Sequence, residues 1–307
     1  MGTTQSPVGL RMNRLVRTQG LAFCALATVI AATSIFLPPV PEPVELVLIS
    51  GLILGLGVPH GALDTIFARQ VYGLRSPQAW LVAVGVYLVL AASVIALWRL
   101  SPAVFLTGFL LISIAHFAGD LQRGVTTFTR IVYAGSVIVL PSLRFEHDVA
   151  RQFGFLAGPT SGAALAAALA ALAWPWLVCL IGAAALESRR NAMAGAEIVA
   201  VSLLALFAPP LVGFTTYFCG MHSARHVIRT YHYADRTSLR LMISAAAAPM
   251  LVVVVAVSAG WMLLDRAAPS RGVAQFLFVG LAALTVPHML LVERVRLSGW
   301  RLGAVAP

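Results

Sequence analysis

Long runs of apolar residues separated by short polar links dominate the pattern of this chain. A membrane-spanning helix needs about 20 apolar residues, because each residue adds about 1.5 Å along the helix axis. Eight stretches meet that requirement, at residues 20–37, 46–68, 79–98, 102–119, 162–184, 196–218, 241–264 and 273–292. The pattern therefore predicts an all-α, polytopic integral membrane bundle that forms a single domain over residues 1–307.

One shorter apolar piece, at 131–140, has about ten residues, which is too short for an ordinary span. We predict that it is re-entrant or interfacial, inside a loop over 120–160. Eight spans then remain, both termini lie in the cytoplasm, and residues 1–19 form a cytoplasmic arm. This arrangement leaves 16 of the 21 basic residues on the inner side, and five outside: Arg99, Arg189, Arg190, Arg266 and Arg271.

The distribution of basic residues favours this topology over the alternative. A crossing at 131–140 divides them about 11 to 10, which gives no orientation bias, whereas eight spans give a strong excess inside. All of these residues are arginines, since the sequence contains no lysine. We therefore expect a multi-pass protein of the inner cell membrane.

Composition supports the membrane interpretation. Charged residues make up 10% of the chain and hydrophobic residues 60%, whereas soluble domains carry about 25% charged residues. The net charge of +10 usually suggests a nucleic-acid partner. Here the arginines lie between apolar runs, where membrane orientation accounts for them, so no nucleic-acid partner is predicted. The lipid bilayer is the expected partner.

Five histidines lie at or just past the ends of apolar runs. His222 and His226, in FCGMHSARHVIR, are four residues apart and so share one helix face. With eight spans, His60, His116 and His288 fall at the same cytoplasmic side as this pair. We predict that His60, His116, His222 and His226 hold a metal, with His288 as a further ligand or a substrate contact.

Two aspartates follow histidines at helical spacing. Asp64 comes four residues after His60, and Asp120 four residues after His116. A ligating imidazole usually donates its other ring N–H to a carboxylate or carbonyl group. Asp64 and Asp120 are therefore predicted to orient the metal-binding histidines.

The residues alone leave the metal and the function class open. Imidazoles suit zinc, copper or iron. A membrane transporter or proton-coupled carrier could use the His/Asp pairs as a proton relay. Carriers, however, place their sites near the membrane midplane rather than at one side. A haem protein with two axial histidines, His60 with His116 or His222, is a further alternative. A membrane desaturase would need clustered HxxHH boxes, which this sequence lacks.

Four motifs in a fixed order point to a family. GVPHGALD, AHFAGD, HSARH and a late VPHMLL, spread over residues 46–296, resemble the bacteriorhodopsin-related-protein-like (Brp/Blh) family. The resemblance implies an integral membrane enzyme that uses non-haem Fe(II) and dioxygen. Such an enzyme splits the central 15,15′ double bond of β-carotene into two molecules of all-trans retinal. The family's iron-binding histidines fall on His60, His116, His222 and His226.

The chemistry implied by the resemblance suits a membrane site. β-Carotene and dioxygen both dissolve in lipid, so a site between helices receives them directly. Cleavage of a C=C bond by dioxygen needs a redox-active metal, which zinc is not. The resemblance further implies a link to a retinal-binding rhodopsin, and a channel for the polyene lined by aromatic residues: Phe117, Phe214, Tyr217 and Phe218.

Overall fold

A computed structural model describes residues 7–38, 40–121, 124–233, 239–263 and 269–294. All regular structure in these ranges is helical. Fourteen α-helices are described there: α1 Pro7–Phe36, α2 Glu42–Leu52, α3 Pro59–Ala62, α4 Asp64–Tyr72, α5 Pro77–Leu100, α6 Pro102–Phe117, α7 Thr127–Val139, α8 Ser142–Ala157, α9 Pro159–Arg190, α10 Ala192–Phe207, α11 Pro210–Tyr217, α12 Ala224–Tyr233, α13 Leu239–Leu263 and α14 Pro269–Arg294. Two π-helical turns, Ile53–Gly57 and Phe218–Ser223, interrupt the series.

The local sequence explains where many helices begin. Proline occupies the first turn of α5, α6, α9 and α11, where its missing N–H has no helical partner to lose. The side chains of Ser76, Thr126 and Asn191 accept hydrogen bonds from backbone N–H groups at the starts of α5, α7 and α10. These signals fix the residue at which each of these helices begins.

The predicted polytopic helical bundle is confirmed. Within the described residues, six continuous helical segments are long and apolar enough to cross a membrane, and the bent pair α7–α8 would be a seventh if it is one span. Helix α5 has no buried residue, and apolar side chains such as Leu81 and Val82 are exposed along it. Exposed apolar surface on this scale is unusual for a soluble protein and suits contact with lipid.

The first helix begins earlier than predicted. Residues 7–19, expected to form a cytoplasmic arm, continue α1 towards its N-terminus. Residues 1–6 of that arm lie outside the described residues, as do five loop arginines used in the topology argument: Arg123, Arg236, Arg266, Arg296 and Arg301.

The predicted helix at 196–218 is two helices. Helix α10 ends at Phe207, Ala208 is extended, and Pro209–Pro210 start α11 in a new direction. Proline and the residue before it disfavour a continuing helix, so the Pro pair breaks it here. Gly213 lies against the backbone of Leu204, which shows that α11 turns back along α10. The second π-helical turn and α12 then follow from α11.

Helices α7 and α8 contain the segment at 131–140, which the sequence predicts to be re-entrant or interfacial. Helices α7 and α8 meet at a bend of 63°. The far end of α8 reaches the start of α2, where Arg151 pairs with Glu42. It also reaches the end of α5, where the Trp98 indole donates to the Leu156 carbonyl at 2.9 Å. These contacts place the far end of α8 at the end of the bundle opposite the histidines.

Candidate metal centre

A π-helical turn introduces His60. The turn Ile53–Gly57 widens the helix, so that the Val58 N–H donates to the Ile53 carbonyl five residues back, at 2.7 Å. Pro59 then begins the short helix α3, and the Nδ1 of His60 lies 2.5 Å from the Gly57 carbonyl oxygen. Single π-helical turns are frequently found at functional sites, because they redirect a side chain without ending the helix.

A second π-helical turn, Phe218–Ser223, contains His222. Helix α12 follows directly and contributes His226. The Ser223 hydroxyl lies 3.0 Å from Nδ1 of His60, which ties the two π-helical turns together. The two widened turns therefore meet at one place and present their histidines to each other.

All five histidines singled out from the sequence come together. They arrive from α3, α6, the second π-helical turn, α12 and α14, and each is at most 8% exposed. Neighbouring ring centroids are 4.4–5.2 Å apart, in the pairs His116–His222, His60–His222, His226–His288, His60–His288, His116–His288 and His60–His226. This group is called the histidine cluster below.

The nitrogens of the histidine cluster fit a metal ion. The Nε2 atoms of His222, His226 and His288 are buried and have no hydrogen-bond partner. Buried polar atoms in proteins are nearly always paired, so three unpaired nitrogens in one cluster need an explanation. Donor atoms of His60, His116 and His288 lie within 4.8 Å of one another. Neutral imidazole nitrogens in this arrangement suit a divalent transition metal.

Both predicted aspartates contact the cluster, but not through the histidines that precede them. Asp120 lies 3.0 Å from Nδ1 of His222, and Asp64 lies 2.7 Å from Nδ1 of His288. The i+4 pairing with His116 and His60 is wrong because no continuous helix joins either pair. Helix α6 ends at Phe117, before Asp120, and Leu63 separates α3 from α4, which begins at Asp64.

Asp120 lies beyond the end of α6 and is surrounded by hydrogen-bond donors. The Tyr217 hydroxyl donates to its Oδ2 at 2.7 Å, and Arg225 and Arg229 donate to its backbone carbonyl at 2.9 and 3.0 Å. Burial acts to raise the pKa of this carboxyl, but His222, Tyr217 and Arg229 hold the pKa below its usual value. The group is therefore a carboxylate, able to accept the Nδ1–H of His222.

Arginines that sequence analysis placed in loops are buried here. Arg130 is 3% exposed and donates to the carbonyls of Ala118, Leu121 and Val125. Arg229 donates to the carbonyl of Gly119 at 2.7 Å. These bonds satisfy the carbonyl groups left without partners after α6 ends. The arginines thereby fix the segment that carries Asp120.

A buried ion pair holds one of these arginines. Arg225 donates from both terminal nitrogens to Glu197, at 2.6 and 3.0 Å, and both side chains have no exposed surface. The guanidinium also donates to the side-chain oxygen of Gln19 on α1. Sequence reasoning missed Glu197, although a carboxylate inside a predicted span was a signal of function or structure.

The four aromatic residues proposed for a channel pack together beside the histidine cluster. Phe218 lies nearly parallel to His222 with ring centroids 5.7 Å apart, and stacks on Phe214 at 5.6 Å. The ring centroid of Phe117 lies 4.9 Å from that of His222 and 5.1 Å from that of Tyr217. The histidine cluster thus has an apolar aromatic wall on this side, while the Tyr217 hydroxyl is bound to Asp120.

The fold and the site define a class: a helical membrane protein with a buried cluster of histidines and carboxylates. The chain belongs to the β-carotene 15,15′-dioxygenase family, whose model matches residues 51–295 and so includes the whole histidine cluster. A relative from an uncultured marine bacterium, 66A03, is named β-carotene 15,15′-dioxygenase. It is 33% identical over 250 residues, which cover 79% of this chain and 90% of the relative.

A second relative, from Halobacterium salinarum, is named probable β-carotene 15,15′-dioxygenase Blh. It is 28% identical over 331 residues, covering 94% of this chain and 95% of the relative. No solved structure matches the chain.

Proposed function

We propose that this protein cleaves the central 15,15′ double bond of β-carotene with dioxygen and releases two molecules of all-trans retinal. One observation carries the proposal: buried, unpaired imidazole nitrogens converge beside an aromatic wall inside a membrane bundle. Membership of the dioxygenase family supports the same reaction. A site that is reached through lipid suits a long hydrocarbon substrate, because no polar group has to be desolvated on binding.

The metal proposed for the centre is Fe(II), held by His60, His116, His222 and His226. When bound, iron would supply the redox chemistry that lets dioxygen react with a C=C bond, which a d¹⁰ metal such as zinc does not provide. The donor set supports this choice, since imidazole nitrogens bind iron well.

The surrounding residues fix the imidazoles in a binding-competent form. Asp120 accepts the Nδ1–H of His222, and the Gly57 carbonyl accepts the Nδ1–H of His60. Each bond places the ring proton on Nδ1 and leaves the lone pair that a metal would take on Nε2. The buried setting excludes bulk water from these nitrogens.

The aromatic wall would position the polyene. We propose that Phe117, Phe214, Tyr217 and Phe218 line the substrate channel and hold the central double bond beside the histidine cluster. The rings of Phe117 and Phe218 both contact the His222 ring. A polyene that lay against these two phenylalanines would therefore come close to the histidine cluster. Aromatic faces bind conjugated hydrocarbons without demanding hydrogen bonds.

We further propose an inner-membrane location with both termini in the cytoplasm, since most arginines in the described ranges lie at the histidine end of the bundle. Retinal released there would be available to a retinal-binding rhodopsin. Fusing a fluorescent protein that matures only in the cytoplasm to the C-terminus tests the orientation. A dark fusion at normal expression levels would contradict it.

The reaction is tested in cells that accumulate β-carotene. Expression of the protein is expected to bleach the orange colour and produce retinal. Alanine substitution of His60, His116, His222 or His226 should each preserve the colour, whereas His147→Ala, an exposed position on α8, should bleach like the wild type. A purified protein with a strong Soret band would instead indicate the haem alternative.

A further inference from the structure

The histidine on the last helix, His288, has the same surroundings as His222. In each case Nδ1 lies against a buried aspartate carboxylate, at 2.7 Å for His288 with Asp64 and 3.0 Å for His222 with Asp120. In each case Nε2 is buried and unpaired. The two histidines thus show the same carboxylate–imidazole arrangement, which in metalloproteins directs Nε2 to the metal.

The position of His288 within the cluster is central rather than peripheral. Its ring lies 5.0–5.1 Å from those of His60, His116 and His226. The contacts between neighbours close a ring in the order His60, His222, His116, His288, His226. Without His288 the ring would open between His116 and His226. Its donor atom also belongs, with those of His60 and His116, to the set within 4.8 Å of one another.

Charge gives a second, independent reason. Asp64 is 5% exposed, and its ion-pair partner among the described residues is His288 alone. The Tyr87 hydroxyl lies beside the same carboxylate. A buried carboxylate is costly unless a cation or hydrogen-bond donors lie close by. A metal ion bound by His288 would lie close to the charge of Asp64.

We propose that His288 is a fifth imidazole ligand of the metal centre, and that Asp64 orients it. The inference rests on the proposed function, because it assumes that the histidine cluster holds a metal. It goes beyond the four-histidine set by assigning α14 a direct part in the centre. Asp64 acts as a positioning residue, through His288.

The test is titration of the purified, metal-depleted, full-length protein in detergent with Co(II), whose visible bands report the number and kind of ligands. His288→Gln keeps much of the side-chain size and removes the imidazole. It is expected to weaken Co(II) binding at least 10-fold and to change the visible bands. Asp64→Asn should weaken binding about 10- to 100-fold, in line with substitutions of residues that orient ligands. Asp148→Asn, on the accessible face of α8, is the matched control and should bind like the wild type.

The outcomes separate this inference from the proposed function. If the wild type binds Co(II) and His288→Gln binds it equally well with unchanged bands, His288 is not a ligand and only this inference fails. Loss of β-carotene cleavage in that variant with unaltered Co(II) binding would assign His288 to substrate contact and likewise overturn it. If the wild type binds neither Co(II) nor Fe(II), the metal centre itself fails. Equal unfolding of the metal-free forms in denaturant shows that a weakened variant is folded.

Discussion

Asp120 and His222 lie 102 positions apart in the chain, and their side chains meet at 3.0 Å in a buried site. Asp120 is held by Tyr217 through its carboxylate and by two arginines through its backbone. His222 is fixed from the other side by the π-helical turn that contains it. The contact therefore joins the end of α6 to the segment that follows α11.

Replacing Asp120 with Asn should weaken metal binding without unfolding the protein. The amide keeps the size of the side chain but removes the charge that favours His222 as a ligand. The expected loss is about 10- to 100-fold in affinity for Co(II) or Fe(II). Metal titration of the purified variant measures it. Wild-type affinity in this variant would show that the carboxylate does not orient a ligand.

Replacing only Glu197 of the Glu197–Arg225 pair should destabilise the protein more than replacing both residues. Glu197→Gln leaves the buried Arg225 charge without its partner, which costs about 3–5 kcal/mol of unfolding free energy. The double variant Glu197→Leu/Arg225→Met removes both charges and should recover a large part of that loss. Denaturant unfolding in detergent measures both. Equal stability of Glu197→Gln and the wild type would contradict the importance of the pair.

Tyr217 should act through its hydroxyl as well as its ring. Tyr217→Phe retains the aromatic contacts but removes the hydrogen bond to Asp120, a bond to a charged group worth about 1.5–3 kcal/mol. A loss of unfolding free energy in that range is expected, together with weaker metal binding. Tyr72→Phe, at an exposed position, is the matched control and should change neither. An unaltered Tyr217→Phe variant would remove the hydroxyl from the network.

Alanine substitutions at two glycines of the first π-helical turn are expected to have different effects. A Cβ on Gly57 would collide with the Phe218 ring, whereas a Cβ on Gly55 meets nothing within 4 Å. Gly57→Ala should therefore displace Phe218 from His60 and His222, lowering both the melting temperature and the rate of β-carotene cleavage. Gly55→Ala should retain both. Thermal unfolding and a retinal assay on the pair distinguish close packing at Gly57 from a general effect of alanine in this turn.

Hydropathy predicted the helical bundle because lipid-facing helices such as α5 must be apolar along their whole length. It did not predict the path of the chain between 120 and 218. The bend between α7 and α8 and the Pro209–Pro210 break both lie in this stretch.

Four arginines lie at the end of the bundle opposite to the one predicted from the sequence. In the structure, Arg189 and Arg190 end α9 at the histidine end of the bundle, since α10 starts there and carries Glu197. Arg151 instead pairs with Glu42 at the opposite end, and Arg144 lies 5.5 Å from the ring of Phe207, where α10 ends. Two pairs of arginines within the described residues therefore lie at the ends opposite to the predicted ones.

The histidine cluster was visible in sequence because histidines at the ends of apolar runs are unusual. Its supporting contacts were not visible. The spacing of His60 from Asp64 assumes a continuous helix, and the chain departs from one at Leu63. The carbonyl partners of Arg130 and Arg225 depend on where α6 ends in space, which no local pattern reports.

The most direct measurement of the central claim is β-carotene turnover by the purified, metal-depleted protein during titration with Fe(II) under dioxygen. The account predicts activity that is absent without metal, rises linearly to one iron per chain, and yields two retinals for each β-carotene consumed. His222→Ala should remain inactive throughout the same titration. Full turnover by the metal-free wild type would contradict the account.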